Sequence, residues 1–457
     1  MIEGLQPYSE YKDSGHRWLG KIPEHWGLLP NRALFEEVKD RNHPNDEMLS
    51  VTITRGIIRQ QALLSDSSKK DSSNVNKAAY KLVQPGDIAY NKMRAWQGAV
   101  GASSFRGIIS PAYVVMRPRQ GCAPWYYHHL YRTPSFAKEA ERWSYGITSD
   151  MWSLRPEHFK VIYSVQPPPD EQTDIVRFLD HANRKINGFI RAKRKLIGLL
   201  NEQKQAIIHR AVTRGLNPNA PLKPSGISWL GDIPQHWEVK KLRMLFRYEK
   251  GGRAAELTKE YIGRNPGEYP VFSGQTEDGG MMGKLNRFEF NFDTPVVFVS
   301  TVGARAMSTR LVCKKFSLSQ NCAIIIPRTK EADPSFYENV FQRLFEYERA
   351  SISLIMQPSL RFADLNRFYV PQPPISEQQK IAKELLEKNE GIEKIKSCLE
   401  NQIQLLREYR TRLVADIVTG KLDVREAASK LPDETPVETG PDESDLEDET
   451  PDEELVA

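Results

Sequence analysis

Asn91-Lys-Met-Arg-Ala-Trp-Gln-Gly98 places two cations, an aromatic ring and an amide on one short stretch that follows an apolar run and ends in glycine. Arg94 and Gln97 belong to the side-chain types that pair in bidentate fashion with guanine and adenine edges, Lys92 suits a phosphate, and Trp96 adds the aromatic. A rough positional counterpart is Ser300-Thr-Val-Gly-Ala-Arg-Ala-Met-Ser-Thr-Arg310, whose cations are Arg305 and Arg310. Ser319-Gln-Asn321 parallels Ser110-Pro-Ala112 and supplies Gln320 and Asn321, while the polar loop Ser273-Gly-Gln-Thr276 supplies Gln275 and Thr276. Arg155 and Arg361 stand in a repeated block, so they read as phosphate or scaffold residues rather than sequence readers. For each of these side chains the competing reading is a tight hairpin with solvated charge.

Other chemistry finds no support. The chain lacks an (N/D)PP(Y/F) tetrapeptide and a GxGxxG after a strand, so no methyl-donor or dinucleotide pocket is visible. Gly279-Gly-Met-Met-Gly-Lys284 has glycines too closely spaced for a phosphate loop, and Leu285 stands where Ser or Thr is needed. Glu37-Val-Lys39, with Asp13 upstream, fits a metal-nuclease pattern only by force and has no aligned counterpart in the second half. His25 and His236 lie in repeated IPxHW blocks and read as packing or capping groups. Cys122, Cys313, Cys322 and Cys398 form no CxxC pair and no metal spacing with the nine histidines, which fits a reducing cytoplasm and no metal. What remains is a binding surface.

The elements that position it are announced by a repeat. Ser14 to Phe35 (SGHRWLGKIPEHWGLLPNRALF) lies over Ser225 to Phe246 (SGISWLGDIPQHWEVKKLRMLF) at an offset of 211. Ser153 to Gln172 (SLRPEHFKVIYSVQPPPDEQ) lies over Ser359 to Gln378 (SLRFADLNRFYVPQPPISEQ) at an offset of 206. A period of that size makes each repeat a domain with its own core, and two of them imply a pseudo-two-fold molecule. Short apolar runs (Asp87–Tyr90, Ala112–Met116, Val161–Tyr163, Pro295–Val299, Ala323–Ile326) punctuated by Gly and Pro read as strands of α/β or α+β domains.

After each proline-rich stop, Gln166–Pro169 and Pro371–Pro374, a long helix is expected, with Asp170 and Ser376 as N-caps and Glu171 and Glu377 in the first turn. Apolar residues then recur at alternating spacings of four and three. One row runs Ile175, Leu179, Ala182, Ile186, Phe189, Lys193, Leu196, Leu200, Gln203, Ile207; the other runs Ile381, Leu385, Lys388, Ile392, Ile395, Leu399, Gln402, Leu406, Tyr409, Leu413. These are coiled-coil seams. Chain order makes the pair antiparallel, a rod on the order of 60 Å long. The expected division is 1–166 first domain, 167–213 first helix, 214–224 linker, 225–372 second domain, 373–428 second helix and 429–457 acidic tail.

Composition bounds the class. The chain has 457 residues, 39% hydrophobic and 27% charged, ordinary for a soluble protein of more than one core. No apolar stretch reaches membrane-span length and the N-terminus lacks a signal-peptide pattern, so neither membrane nor export is expected. The net charge of +5 hides a split, because residues 431–457 hold 12 carboxylates and no Lys or Arg, leaving +17 on residues 1–430. Such a basic body favours polyanions, nucleic acid first among them. The acidic tail cannot repay its ordering entropy and is expected to be disordered.

The paired blocks KDSGHRWLGKIPEHW and KPSGISWLGDIPQHW, each followed by a variable domain and a PPxxEQ-headed helix, resemble the DNA specificity subunit of type I restriction-modification systems. The resemblance covers the chain except its tail, and extends to Asp87–Gly98 and Tyr269-Pro-Val-Phe-Ser-Gly. It implies a non-catalytic reader in which each variable domain recognises half of a bipartite double-stranded DNA site. The helices then fix the spacer and dock two methyltransferase subunits, with restriction subunits added. S-adenosylmethionine, ATP and Mg would belong to those partners, and no cofactor to this chain. The rival readings are a self-contained nuclease built on Glu37 and Lys39, and a coiled-coil scaffold that binds no DNA.

Overall fold

The computed structural model describes residues 5–61, 77–146, 151–274, 280–303, 305–352 and 357–432. Gln275, Thr276 and the acidic tail from residue 433 lie outside them. Contacts divide the chain into two units, 1–194 with 400–457 and 195–399, and the cut falls inside both long helices. Each unit therefore holds one mixed domain together with part of each helix.

In the first unit the strands β1 (Phe35–Val38), β2 (Ile88–Asn91), β3 (Val100–Ala102) and β4 (Tyr113–Pro118) form an antiparallel sheet in the order β1-β4-β2-β3. Val115 pairs with Ala89 on one side and Val38 on the other, and these three sit in one apolar cluster with Leu49, Val51 and Ile109. Helices α1 (Pro124–Tyr131) and α2 (Pro134–Arg142) follow, each opened by proline, whose fixed φ and missing N–H suit the first helical turn. The short α3 (Pro156–Val161) takes up Val161, expected in a strand, and the strand itself starts at Tyr163 and pairs with Gly27–Pro30.

The first long helix, α4, runs Pro169–Arg214. It starts one residue before the expected cap: Pro168 O accepts the amide of Gln172 at 3.0 Å, so Asp170 lies inside the first turn. Proline at the first helical position explains the shift.

The second unit has a six-stranded sheet built from β5 (Phe246–Glu249), β6 (Pro266–Phe272), β7 (Met281–Leu285), β8 (Phe290–Ser300), β9 (Thr309–Leu318) and β10 (Cys322–Pro327), in the order β5-β10-β8-β9-β6-β7. All pairs are antiparallel except β6 with β9. The scaffold repeats: Phe246 faces Pro327 as Phe35 faces Pro118, and each phenylalanine meets a tyrosine ring edge-on, Tyr127 in one unit and Tyr337 in the other. Helix α5 (Pro334–Ala350), the short α6 (Phe362–Leu365) and the second long helix α7 (Ile375–Val418) follow the sheet.

The long helices pair antiparallel within each unit. In the first, Arg410 Nη1 donates to Asn187 Oδ1 at 2.9 Å and Lys193 Nζ to Gln402 Oε1 at 2.6 Å, so partner numbers fall on α7 as they rise on α4. In the second, Lys204 Nζ meets Glu393 Oε1 at 2.9 Å. There Ile208, Ala211 and Val212 share one core with Ile381, Leu385, Trp229 and Trp237.

The buried row departs from the expected seam in mid-helix. Phe189, Leu196 and Ile395 are exposed (59%, 44% and 50%), while Ile190 and Ile403, each one residue beyond an expected seam position, are buried. Leu399 and Leu413, expected positions on either side of Ile403, are buried, so the side chain that turns inward is set by local packing rather than by one continuous seam.

Candidate nucleic-acid interface

Each domain is fixed to its helix by the same grip. Gln172 is fully buried; its Oε1 accepts the Ala123 amide at 2.7 Å and its Nε2 donates to Gly121 O and Pro167 O at 3.0 and 2.8 Å. Gln378 repeats this with the Asp333 amide, Glu331 O and Pro373 O at 2.9, 2.9 and 2.8 Å. The preceding glutamate holds the opening block. Glu171 accepts from Tyr8 Oη and Trp26 Nε1 and meets His25 Nε2 at 2.8 Å; Glu377 meets His236 Nε2 at the same distance. Both imidazoles are thus packing groups. The Glu-Gln pair lies in the repeated block, so its register was visible in the sequence, although its partners were not.

On this scaffold the first candidate loop leaves the end of β2. Asn91 Oδ1 accepts the Met93 amide at 3.0 Å, a 3-10 turn covers Ala95–Gln97, and Gly98 closes it at φ +98°, a conformation that favours glycine. Lys92 O accepts the amide of Leu154 at 2.9 Å, which brings the repeated Ser-Leu-Arg segment and Arg155 to the loop's base. The Trp96 ring meets Trp152 edge-on at 5.6 Å, and its Nε1 donates to Met93 O. Arg94 Nη1 donates to Gln97 Oε1 at 3.1 Å. Gln97 and Arg155 are exposed, and Lys92, Arg94 and Trp96 are half-buried. Beneath the loop the buried Lys81 donates to Tyr113 O; burial, with the neighbouring Lys92, lowers its pKa below the usual lysine value.

The second domain repeats the support. Thr301 O accepts the amide of Leu360 at 2.8 Å, the counterpart of the Lys92–Leu154 bond, and Thr301 N donates to Asn321 O at 2.7 Å. Arg305, the Gln320–Asn321 turn and Arg361 are thereby gathered on adjoining segments, all exposed. Asn321 adopts φ +63°, as asparagine tolerates in a tight turn. Arg361 caps α6, its amide donating to Asp364 Oδ2 at 3.0 Å. Arg310 stands apart from them. Its guanidinium lies 4.2 Å over the Phe298 ring and donates to Ser273 O at 2.7 Å, and burial lowers its pKa.

Glu37, the core of the rival nuclease reading, is salt-bridged to Lys160 at 2.7 Å and Lys39 at 3.3 Å. Burial pushes its carboxyl pKa up, but the two ammonium groups outweigh that and hold it below the usual value. Among the described residues no three His, Cys, Asp or Glu side chains cluster as a metal site, and no helix is long and apolar enough to cross a membrane.

Two α/β (α+β) domains in tandem repeat, each followed by a long helix, make up the two units of the chain. The family model for the type I restriction modification DNA specificity domain matches residues 234–404. A putative type I specificity subunit of Mycoplasma pneumoniae is 31% identical over 130 residues, covering 28% of this chain, and the chain spans only 42% of that relative. The putative type I restriction enzyme MjaX specificity subunit of Methanocaldococcus jannaschii is 23% identical over 464 residues, covering 93% of this chain and all of its own. A chain from a structure described as the basis of complex assembly and conformational transition of the type I R-M system shares the fold, with TM-score 0.66 at 15% identity over 88% of this chain and 99% of that one. Over residues 234–404 the chain is similar to the type I restriction modification DNA specificity domain.

Proposed function

We propose that each domain reads one half of a bipartite double-stranded DNA target, and that the paired helices set the spacer and dock two methyltransferase subunits. The observation that carries this is the repeated support under unlike loops. One backbone bond, from the Leu154 amide to Lys92 O and from the Leu360 amide to Thr301 O, fixes both loop bases, while the side chains differ. A constant frame with variable donors is what two readers of different sequences require, since bases are told apart by donor and acceptor patterns on their edges. Lys92, Arg94, Trp96 and Gln97 form the first reading surface, and Arg305, Gln320 and Asn321 the second, with Gln275 and Thr276 assigned to it from sequence, while Arg155 and Arg361 at the loop bases suit phosphates. Arg310 serves the second surface by bracing Ser273.

The chain itself is read as non-catalytic. S-adenosylmethionine would be used by the methyltransferase subunits, and ATP and Mg by restriction subunits where these are present. Co-expressing the chain with a candidate adenine-methyltransferase subunit in an unmethylated host and mapping modified adenines tests the reading. A single bipartite motif with a fixed spacer is expected. A stable complex that modifies nothing would turn the reading toward the scaffold alternative.

A further inference from the structure

We infer that an open cavity of about 850 Å³ on the first domain, between the opening block and α2, is a cradle for the DNA backbone flanking that domain's half-site. The inference rests on the DNA-reading function proposed above. Arg17, Lys138 and Arg142 line the cavity and are exposed; His16 joins them, its ring stacked on Tyr163 at 4.5 Å. Arg17 and Lys138 make no ion pair with another described residue. The one acid in the wall, Glu139, is buried and already engaged, 3.3 Å from Arg142 Nη1 and 2.8 Å from the Trp143 indole nitrogen. The cavity therefore presents positive charge to solvent.

Its position fits a backbone contact. Helix α2 packs against the Ala95–Gln97 turn, so the cations lie on the element that backs the reading loop. Nine helical residues extend about 14 Å, and a duplex carries a charge every ~1.7 Å of axis, so several phosphates come within reach.

The second domain does not repeat the opening cation. In the repeated block the places of His16 and Arg17 are held by Ile227 and Ser228. Near Tyr337 the second domain runs in one helix, Pro334–Ala350, where the first breaks between α1 and α2, so the run that carries Lys138 and Arg142 is itself not repeated. Scaffold residues would recur in both halves; Arg17 occurs in one. The cradle thus makes backbone anchoring stronger beside the half-site of the first domain.

The test uses the full chain with its methyltransferase subunit and two duplexes of equal length, one carrying the mapped motif and one scrambled. Affinity is followed by fluorescence anisotropy across a salt series. R17A/K138A removes two exposed cations that carry no internal contact. It is expected to weaken both duplexes about tenfold or more near 100 mM salt and to reduce the slope of log affinity against log salt by almost 2, leaving the methylated motif unchanged. Installing a cation at the place that matches Arg17, with S228R, is expected to steepen the slope. A wild-type slope in R17A/K138A would overturn the cradle. So would an unchanged slope combined with weaker methyltransferase assembly, which would make the cavity a protein interface. If the wild-type chain itself failed to distinguish the duplexes, the DNA-reading function would fall first.

Discussion

At the residue scale, two side chains decide more than their exposure suggests. Gln172 satisfies three backbone groups of the first domain from the head of α4, and nothing else described reaches them. Replacing it with alanine strands buried donors and acceptors, a cost of about 2–4 kcal/mol. Thermal unfolding of Q172A is expected to show the transition of the first unit lowered by roughly 5–10 °C. A wild-type profile would mean the grip is dispensable. Asp180 on α4 sits 4.0 Å from His129, and burial pushes its carboxyl up from 3.8 to about 6. His129 is itself pushed down to about 4 by burial and by Arg132, so it offers little charge near neutrality. The folded carboxyl binds its proton more tightly than the unfolded one, so this site's stability is fully present below about pH 4 and is lost as pH rises through about 6. D180N is expected to raise Tm at pH 7.5 and not at pH 4. With a third of the side chain still meeting solvent, the gain is about 1 kcal/mol. An equal gain at both pH values would exclude burial as the cause.

At the element scale, helix ends and helix length carry separate consequences. Gly420 follows α7 at φ +79°, and a Cβ there would lie 2.3 Å from Pro23 and 2.9 Å from the Trp26 ring. The corresponding Gly215, after α4 at φ +68°, has more room, with its closest neighbours at 3.0 and 3.2 Å. G420A combines backbone strain with overpacking and should cost about 2 kcal/mol or more. Calorimetry is expected to rank it well below G215A, and equal losses would show that φ alone matters. Helix length should act on the target instead. Adding four residues to each long helix, about 6 Å of rise, is expected to lengthen the spacer of the methylated motif by one or two base pairs with both half-sites kept. A changed half-site would argue that the helices take part in reading.

At the scale of the whole molecule, the tandem repeat would make the proposed recognition divisible. Each loop is braced inside its own unit, the first by Leu154 and Trp152 and the second by Leu360 and Asn321. Exchanging residues 247–358 for those of another family member is expected to change one half of the methylated motif and leave the other half intact. A change in both halves would defeat modular reading. Under the proposed function the basic body, +17 over residues 1–430, would supply attraction common to all DNA, and selectivity would fall to the few side chains on the two loops.

The sequence by itself determined the repeat, the domain class, the proline stops with their long helices, and the two loops. These are local patterns: period, punctuation and composition survive without knowledge of the partner. Tertiary structure decided what depends on distant neighbours. Phe189 and Ile190 are both apolar, and only the packed structure shows that Ile190 is the buried one. Arg305 and Arg310 are two arginines of one stretch, yet one is exposed while the other lies on the Phe298 ring. The three cations of the cavity come from segments more than a hundred residues apart in the chain, Arg17 from the opening block and Lys138 and Arg142 from α2. Their meeting is a property of packing, which no one-dimensional spacing encodes.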